Sequence, residues 1–262
     1  MRQRCAIRPQ LSNTFNVNCK FAVMNLVVDH GNSAAKVAIF DHQNLMEKHT
    51  FATPQALQNF LQQTSAENIL VSSVKTDAEE ILSWTKKASK KFILHHTLPL
   101  PVRNLYATPA TLGADRLAGV CGAQQIFPLH ACLVIDAGTC ITYDFLDKER
   151  NYHGGSISPG LAMRFQALHT FTAKLPLVSP KDNVPLTGVT TESSIQSGVV
   201  NGILLEMEGI IRQYVEKFGH VRAILCGGDA AFFENQMKAS IFASPELVLI
   251  GLNSILNYNV NR

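Results

Sequence analysis

Two short stretches of the chain carry the same arrangement of reactive and conformationally permissive residues. The first, from Leu26 to Asp41, reads LVVDHGNSAAKVAIFD, and the second, from Leu133 to Asp147, reads LVIDAGTCITYDFLD. Each has an apolar run ending in an aspartate (Asp29, Asp136), a glycine two residues on (Gly31, Gly138), a hydroxyl residue close behind (Ser33, Thr139) and a second β-type run. A turn of this kind aims several backbone N–H groups at one point, a concavity that suits phosphate oxygens. The glycine admits close approach of the main chain, and the hydroxyl adds a donor. An aspartate by itself repels phosphate, so its use there is to hold a cation, directly or through water, that bridges it to the phosphates. One D-x-G turn is an ordinary hairpin signal. Two copies, 107 residues apart and each set between β-type runs, point to two walls of one cleft.

Two more motifs extend the chemistry. ILCGGDA places Gly227 and Gly228 at a strand-to-helix turn, suited to a flat group such as an adenosine lying against the backbone. TLGADRLAG supplies Gly113, Asp115 and Arg116 where a long loop enters a helix. An aspartate there can take the proton of an acceptor hydroxyl, and Arg116 can pair with a carboxylate or a phosphate. The chain has no GxxxxGK[ST] and no GxGxxG, so Walker-type and dinucleotide-binding readings lose their main support.

The elements that must position these residues follow from periodicity. MNLVVDHGNS, AKVAIFD and LMEKHTFAT are three β-type runs parted by turns, a small antiparallel meander. In TPQALQNFLQQ, Leu57, Phe60 and Leu61 fall at helical spacing, with Thr53 as N-cap and Pro54 in the first turn. NILVSSV and KFILHH read as strands around a helical DAEEILSWTKKAS, an α/β alternation. The Pro- and Thr-rich segment TLPLPVRNLYATPATLGADR reads as a long ordered loop, and loops of that length are usually functional or disordered. RLAGVCGAQQIFP is a helix that closes the first half. At Ala131 the pattern restarts with three β-type runs, then helices, the longest within ESSIQSGVVNGILLEMEGIIRQYVEKFG. Its apolar residues Ile195, Val199, Ile203, Met207, Ile210, Tyr214 and Phe218 keep three- and four-residue steps. Gly198, Gly202 and Gly209 within it predict close packing, since they add nothing to helix propensity. The expected organisation is an extension over residues 1–23 and two copies of one α/β unit, 24–130 and 131–262.

Composition bounds the partners. With 46% hydrophobic and 16% charged residues, the 262-residue chain can build a large core. No apolar run approaches the roughly 18 residues that span a bilayer, so no membrane partner is expected. The net charge of +3 comes from residues 1–23, where Arg2, Arg4, Arg8 and Lys20 face no acid; the remainder is slightly acidic and is no polyanion binder. That leader lacks the apolar h-region of a secretory signal and reads as a tail or an upstream start, with Met24 the functional start. The six cysteines, at 5, 19, 121, 132, 140 and 226, show no zinc spacing; Cys132, Cys140 and Cys226 sit in apolar runs and read as small buried thiols, and a reducing cytoplasm is the simplest setting. His95, His96, His153 and His169 have no spacing that argues for metal or catalysis.

Taken in order, DHGNSAAK, GADR, DAGTCITYD, GGSISPGLAMRFQALHTFTAKLP and TTESSIQSG resemble type III pantothenate kinase from Met24 to about Leu256. The GGSISPG…TAKLP string is not shared with generic sugar kinases. The resemblance implies a duplicated actin-like, Hsp70-like and sugar-kinase (ribonuclease H-like) ATPase fold, with two domains around a nucleotide cleft. It implies transfer of the ATP γ-phosphoryl group to the primary hydroxyl of pantothenate, the first step towards coenzyme A. On this basis Asp29, His30, Gly31, Asn32, Ser33, Ala34, Ala35 and Lys36 form the ATP loop, with Thr139 a further ATP contact. Asp115 is the general base. Tyr106, Gly113, Ala114, Asp115 and Arg116 line the acceptor site, and Thr191 reaches it from the partner subunit of a homodimer whose interface includes the long helix. Asp136 holds a monovalent cation, potassium or ammonium, and Asp29 bears on magnesium, directly or through water. His30, Ser33 and Cys140 depart from the residues the family more often has there. The readings to be separated from this one are another small-alcohol kinase of the same superfamily and a non-catalytic nucleotide-binding regulator.

Overall fold

A computed structural model describes residues 24–85 and 88–262; the leader of residues 1–23 lies outside the described residues. The first sheet opens as the expected meander: β1 (Met24–His30), β2 (Ala35–Asp41) and β3 (Asn44–Phe51), antiparallel throughout. After α1 (Pro54–Gln63), β4 (Asn68–Ser73) returns parallel to β1, and after α2 (Ala78–Ser83), β5 (Lys90–Ile93) pairs parallel to β4. Thr53 caps α1 by accepting from the Ala56 N–H, with Pro54 in the first turn. Asp77 likewise caps α2, which is shorter than the sequence pattern suggests.

The segment read as a long loop holds a two-residue strand, β6 (Arg103–Asn104), and a 3-10 turn over Pro109–Thr111 before α3 (Ala114–Ile126). The second half repeats the plan with β7 (Ala131–Ala137), β8 (Cys140–Leu146), β9 (Asn151–Pro159), α4 (Leu161–Thr170) and α5 (Thr191–Phe218). It then adds β10 (Val221–Cys226), α6 (Ala230–Glu234), β11 (Phe242–Ala243) and α7 (Leu247–Val260). The sheet orders are β3-β2-β1-β4-β5 and β11-β10-β7-β8-β9-β6. Apart from β6, the second is the first read in reverse, with the same parallel and antiparallel pairings. The duplication is therefore a repeat of topology as well as of motif.

Burial of β1, β2, β4, β7 and β8 on both faces explains why their sequences run apolar without clean alternation. Leu26, Val28, Ile69 and Val71 meet α1 and α2 on one side of the first sheet. Val27, Ala38, Phe40 and Leu70 face the other way, into a core shared with α3, α7 and Val134, Leu146 and Tyr152 of the second sheet. Leu133, Ile135, Ile141 and Tyr143 pack towards α4 and α5. Two helices cross between the halves: α3 lies on β7 and β8, and the chain's last helix, α7, lies on β1, β2 and β4. Three buried asparagines and the half-buried Asn257 lock α7 in register. Asn68 donates to Asn25 (3.0 Å), and Asn25 donates to Asn253 (2.9 Å) and Asn257 (2.8 Å).

The glycine reading needs correction. A side chain at Gly198, Gly202 or Gly209 of α5 would meet nothing within 4 Å, so among the described residues these glycines pack against no other element. The close crossing is between α3 and α7, where a Cβ on Gly122 would strike the Leu247 carbonyl and one on Gly251 the Ala118 carbonyl. In α5, Ile195, Val199, Ile203, Met207 and Ile211 are buried while Phe218 is exposed; 3.6-residue periodicity carries the buried stripe off the expected positions at the C-terminal end.

Candidate active site

The two aspartates occupy equivalent places. Asp29 stands at the end of β1 and Asp136 at the end of β7, each followed by a turn into the antiparallel neighbour. In the first turn the Gly31 N–H donates to the Ala34 carbonyl (3.2 Å), and in the second the Gly138 N–H donates to the Cys140 carbonyl (3.0 Å). Lys36 is paired across β1 and β2 with Asp29 itself.

Asp115 lies in the first turn of α3, where its carboxylate accepts the Arg116 N–H (2.8 Å). Gly113 is the N-cap, without a side-chain cap, and a Cβ there would sit 2.5 Å from the Asp115 carboxylate. The glycine thus leaves room for the acid to fold back over the helix end.

Electrostatics brings these groups together. Burial raises the Asp29 carboxyl to about 6, with Lys36 opposing and Asp115 and Asp136 adding to the rise. Burial also raises Asp136 to about 6, with Asp115 adding, Lys36 opposing and Asp144 adding less. Three carboxylates and one lysine therefore share one field, gathered from β1, β2, the start of α3 and β7. Among the described residues no group of three or more His, Cys, Asp or Glu side chains could hold a metal ion alone. Asp29 and Asp136 are nevertheless hard oxygen donors whose ionised forms are disfavoured until positive charge arrives, which fits a cation shared with phosphate oxygens and water.

The remaining expected residues fall in three places. His30 is buried; its Nδ1 lies 3.3 Å from the Ser73 hydroxyl, and burial, with Lys75, pushes its pKa down. Its side chain thus ties the first turn to β4. Asn32 and Ser33 are exposed at the tip of that turn, Ala34 is half-buried, and Ala35 is buried as β2 begins. Thr139 lies in the second turn, its carbonyl accepting the Gly160 N–H (3.2 Å). Ala114 opens α3, and the Tyr106 ring lies beside Arg116, whose guanidinium carbon is 5.6 Å from the ring centroid. Thr191 begins α5 and lines a cavity of about 790 Å³ with Leu168, Val189 and Ile195, apart from the aspartates.

The glycine pair after β10 divides its work. Gly227 has φ of 96°, and a Cβ on it would run into the Ala137 carbonyl and the Asp136 carboxylate, so it backs the second turn. Gly228 has nothing within 4 Å and leaves the backbone open to a flat ligand.

Spacing does not single out Asp144, which the structure places against Arg116 in a bidentate pair (2.7–3.1 Å). The sequence sets Arg116 against a ligand carboxylate or phosphate; the observed partner of its Nε and Nη2 is this carboxylate. Burial acts to lower the Arg116 pKa, but the hydrogen bond and charge of Asp144 outweigh it and raise the value. The available signal was one carboxylate inside the apolar strand CITYDFL, since a buried acid demands a partner. The thiols of Cys121, Cys132 and Cys226 are buried and that of Cys140 is half-buried, all free.

Two matching strand-turn-strand units, each with an aspartate at its strand end, and a carboxylate over the start of a helix between them are the plan of the actin-like and sugar-kinase ATPase fold. Solved structures agree on the fold. A putative Baf family transcriptional activator from Campylobacter jejuni matches with TM-score 0.62 at 23% identity, over 90% of this chain and 100% of that one. A putative N-acetylmannosamine kinase from Listeria monocytogenes matches with TM-score 0.54 at 11% identity, over 91% and 100%. A glucokinase from an Antarctic psychrotroph gives 0.52 at 12%, over 90% and 99%. The sequence is more specific. The type III pantothenate kinase profile matches residues 25–213. The type III pantothenate kinase of Phocaeicola vulgatus is 45% identical over 239 residues, covering 90% of this chain and 99% of that protein. That of Christiangramia forsetii is 45% identical over 240 residues with the same coverage. The chain belongs to the type III pantothenate kinase family.

Proposed function

We propose that this cleft transfers the γ-phosphoryl group of ATP to the primary hydroxyl of pantothenate, giving 4'-phosphopantothenate in the first step of coenzyme A biosynthesis. The observation that carries the reading is the convergence of Asp29, Asp136 and Asp115 with Lys36 on one field, from two equivalent turns and one helix start. Phosphoryl transfer is mostly positioning and charge neutralisation, and this set supplies both. The backbone of Asp29–Lys36 cradles the phosphates, with Lys36 offsetting their charge and Thr139 donating from the opposite wall. Asp115 accepts the proton of the acceptor hydroxyl as that oxygen attacks phosphorus. Tyr106, Gly113, Ala114 and Arg116 hold the rest of the acceptor beside it. Asp29 would hold magnesium, directly or through water, and Asp136 potassium or ammonium. Bound there, these ions would neutralise charge on the transferring phosphate.

The working unit of the proposal is a homodimer, each copy lending Thr191 to the other's acceptor site. Phe171, Leu186 and Val189, which are 85%, 79% and 91% exposed, lie in the segment leading to Thr191 and give the chain an apolar surface to cover. The open α5 glycines would allow a second helix to approach. The units 24–130 and 131–262 act as the two walls, tied by α3 and α7. Free thiols and the lack, among the described residues, of a helix long and apolar enough to cross a membrane suit a cytoplasmic setting.

Asp115→Asn tests the assignment. Turnover should fall by about 10²–10⁴-fold, the usual worth of a general base, with ATP affinity and melting temperature kept. A variant that retains most of the wild-type rate would remove Asp115 from the mechanism.

A further inference from the structure

Arg116 and Asp144 form an ion pair deep in the protein, with side chains 7% and 1% exposed. The Arg116 Nε donates to both Asp144 carboxylate oxygens (3.0 and 3.1 Å), and Nη2 donates to Oδ1 (2.7 Å). The hydroxyl of Tyr152, itself fully buried, donates to the same Oδ1 (2.7 Å). A buried pair of this kind is a poor way to gain stability, because desolvation of both ions cancels most of their attraction and an apolar pair would serve as well. It does fix the plane of a guanidinium. Of the five N–H groups on the fork, Asp144 engages those on Nε and one on Nη2, leaving three held in a set direction.

The same neighbours set Tyr106. Its ring lies nearly parallel to that of Tyr152, with centroids 6.2 Å apart and planes at 14°. On the strand that carries Tyr152, Gly154 has φ of 93°, and a Cβ there would come within 2.9 Å of the Tyr106 ring. Tyr106 and Arg116 reach the site from the first half of the chain, yet both rest on β8 and β9 of the second half.

We propose that Asp144 is a positioning residue for the acceptor, acting through Arg116, and that Tyr152 and Gly154 complete the support by fixing Asp144 and Tyr106. The inference rests on the pantothenate kinase reading. It requires that acceptor recognition, and not nucleotide recognition, depend on this buried group.

The experiment compares wild type, Asp144→Asn and Tyr152→Phe by steady-state kinetics, varying pantothenate and ATP separately, with melting temperatures alongside. Tyr152→Phe removes a single hydrogen bond and should raise the pantothenate KM severalfold; Asp144→Asn should raise it about ten- to a hundredfold. In both, the ATP KM should stay within about twofold of wild type. If Asp144→Asn does not fold, Tyr152→Phe decides alone. An unchanged pantothenate KM in a variant with lowered melting temperature, or equal losses for both substrates, would make the triad structural and overturn the proposal. Wild-type protein without any pantothenate-dependent turnover would instead overturn the activity on which the proposal rests.

Discussion

The Asp29 turn and the Asp136 turn sit on matching strand pairs but are braced differently. The Asp136 turn is packed from behind by glycines whose missing side chains admit it: Gly160 against the Gly138 and Thr139 carbonyls, Gly227 against Ala137 and Asp136. It is further tied by the Asp229 N–H, which donates to the Ala137 carbonyl (2.8 Å). The turn glycines themselves are alike, a Cβ on Gly31 meeting the Ala34 carbonyl oxygen at 3.7 Å and one on Gly138 the Asp136 carboxylate at 3.6 Å, but among the described residues no glycine of another segment packs behind the Asp29 turn. Its brace is His30, hydrogen-bonded to Ser73, with the His30 carbonyl accepting the Val74 N–H (3.1 Å). One motif has thus become a turn backed by packing and, in the other half, a more open turn that leads into Lys36 on β2. Duplication preserved the topology and let the two copies divide the work.

The comparison can be broken at its glycines, where the largest effects are expected. Gly227→Ala forces a positive φ on a side chain that also meets backbone, which should cost about 2 kcal/mol or more. A melting-temperature drop of roughly 5 °C or more would follow for a protein of this size. Thermal unfolding reads it directly, and an unshifted curve would deny the second turn its packed character.

Next in size is Lys36→Met, which removes the cation that favours ionised Asp29. The ATP KM should rise about tenfold, from the loss of a charge-assisted contact to phosphate, while the pantothenate KM changes little. A selective effect on pantothenate would place Lys36 on the wrong substrate.

The aspartates predict a pH dependence with a definite sign. Both carboxyls are raised from 3.8 to about 6 in the folded chain, so folding takes up protons in that interval. Their contribution to ligand-free stability is fully present below about pH 4 and is lost as pH rises through about 6. Asp29→Asn should therefore flatten the decline in urea midpoint between pH 4 and 6. For the proposed activity the sign reverses, because cation binding by these aspartates would need the ionised forms; kcat/KM should fall as pH drops through about 6, and added magnesium should move that limb lower. A profile flat from pH 5 to 7 would separate these acids from catalysis. The smallest effect belongs to Gly31→Ala, whose side chain has space within the protein: the melting temperature should hold within about 2 °C, and any loss should appear in ATP binding.

Much of this arrangement is legible in the residues. Apolar run, aspartate, glycine and hydroxyl form a local pattern, and local patterns determine turns; the repeat of the pattern foretells the repeat of the sheet. Thr53 and Pro54 mark α1 for the same reason. Relations between distant segments are less legible. Gly198, Gly202 and Gly209 look like packing glycines, whereas those that pack are Gly122 and Gly251, because which helix faces a glycine depends on how α7 returns to the first sheet. Asp144 and Arg116 are 28 residues apart and belong to different elements, so no spacing rule joins them. His30 falls in the stretch expected to form the nucleotide loop, yet its side chain bonds Ser73, a contact set by the parallel pairing of β1 with β4.

The central claim is that two unequal turns and one helix start form a site for phosphoryl transfer to pantothenate. Its most direct test is ADP release by the purified protein with ATP, magnesium and potassium, with and without pantothenate, and the mass of the product. Pantothenate-dependent ADP with an equal yield of phosphopantothenate is the expected result. A folded protein that binds ATP but forms no phosphopantothenate would contradict the account.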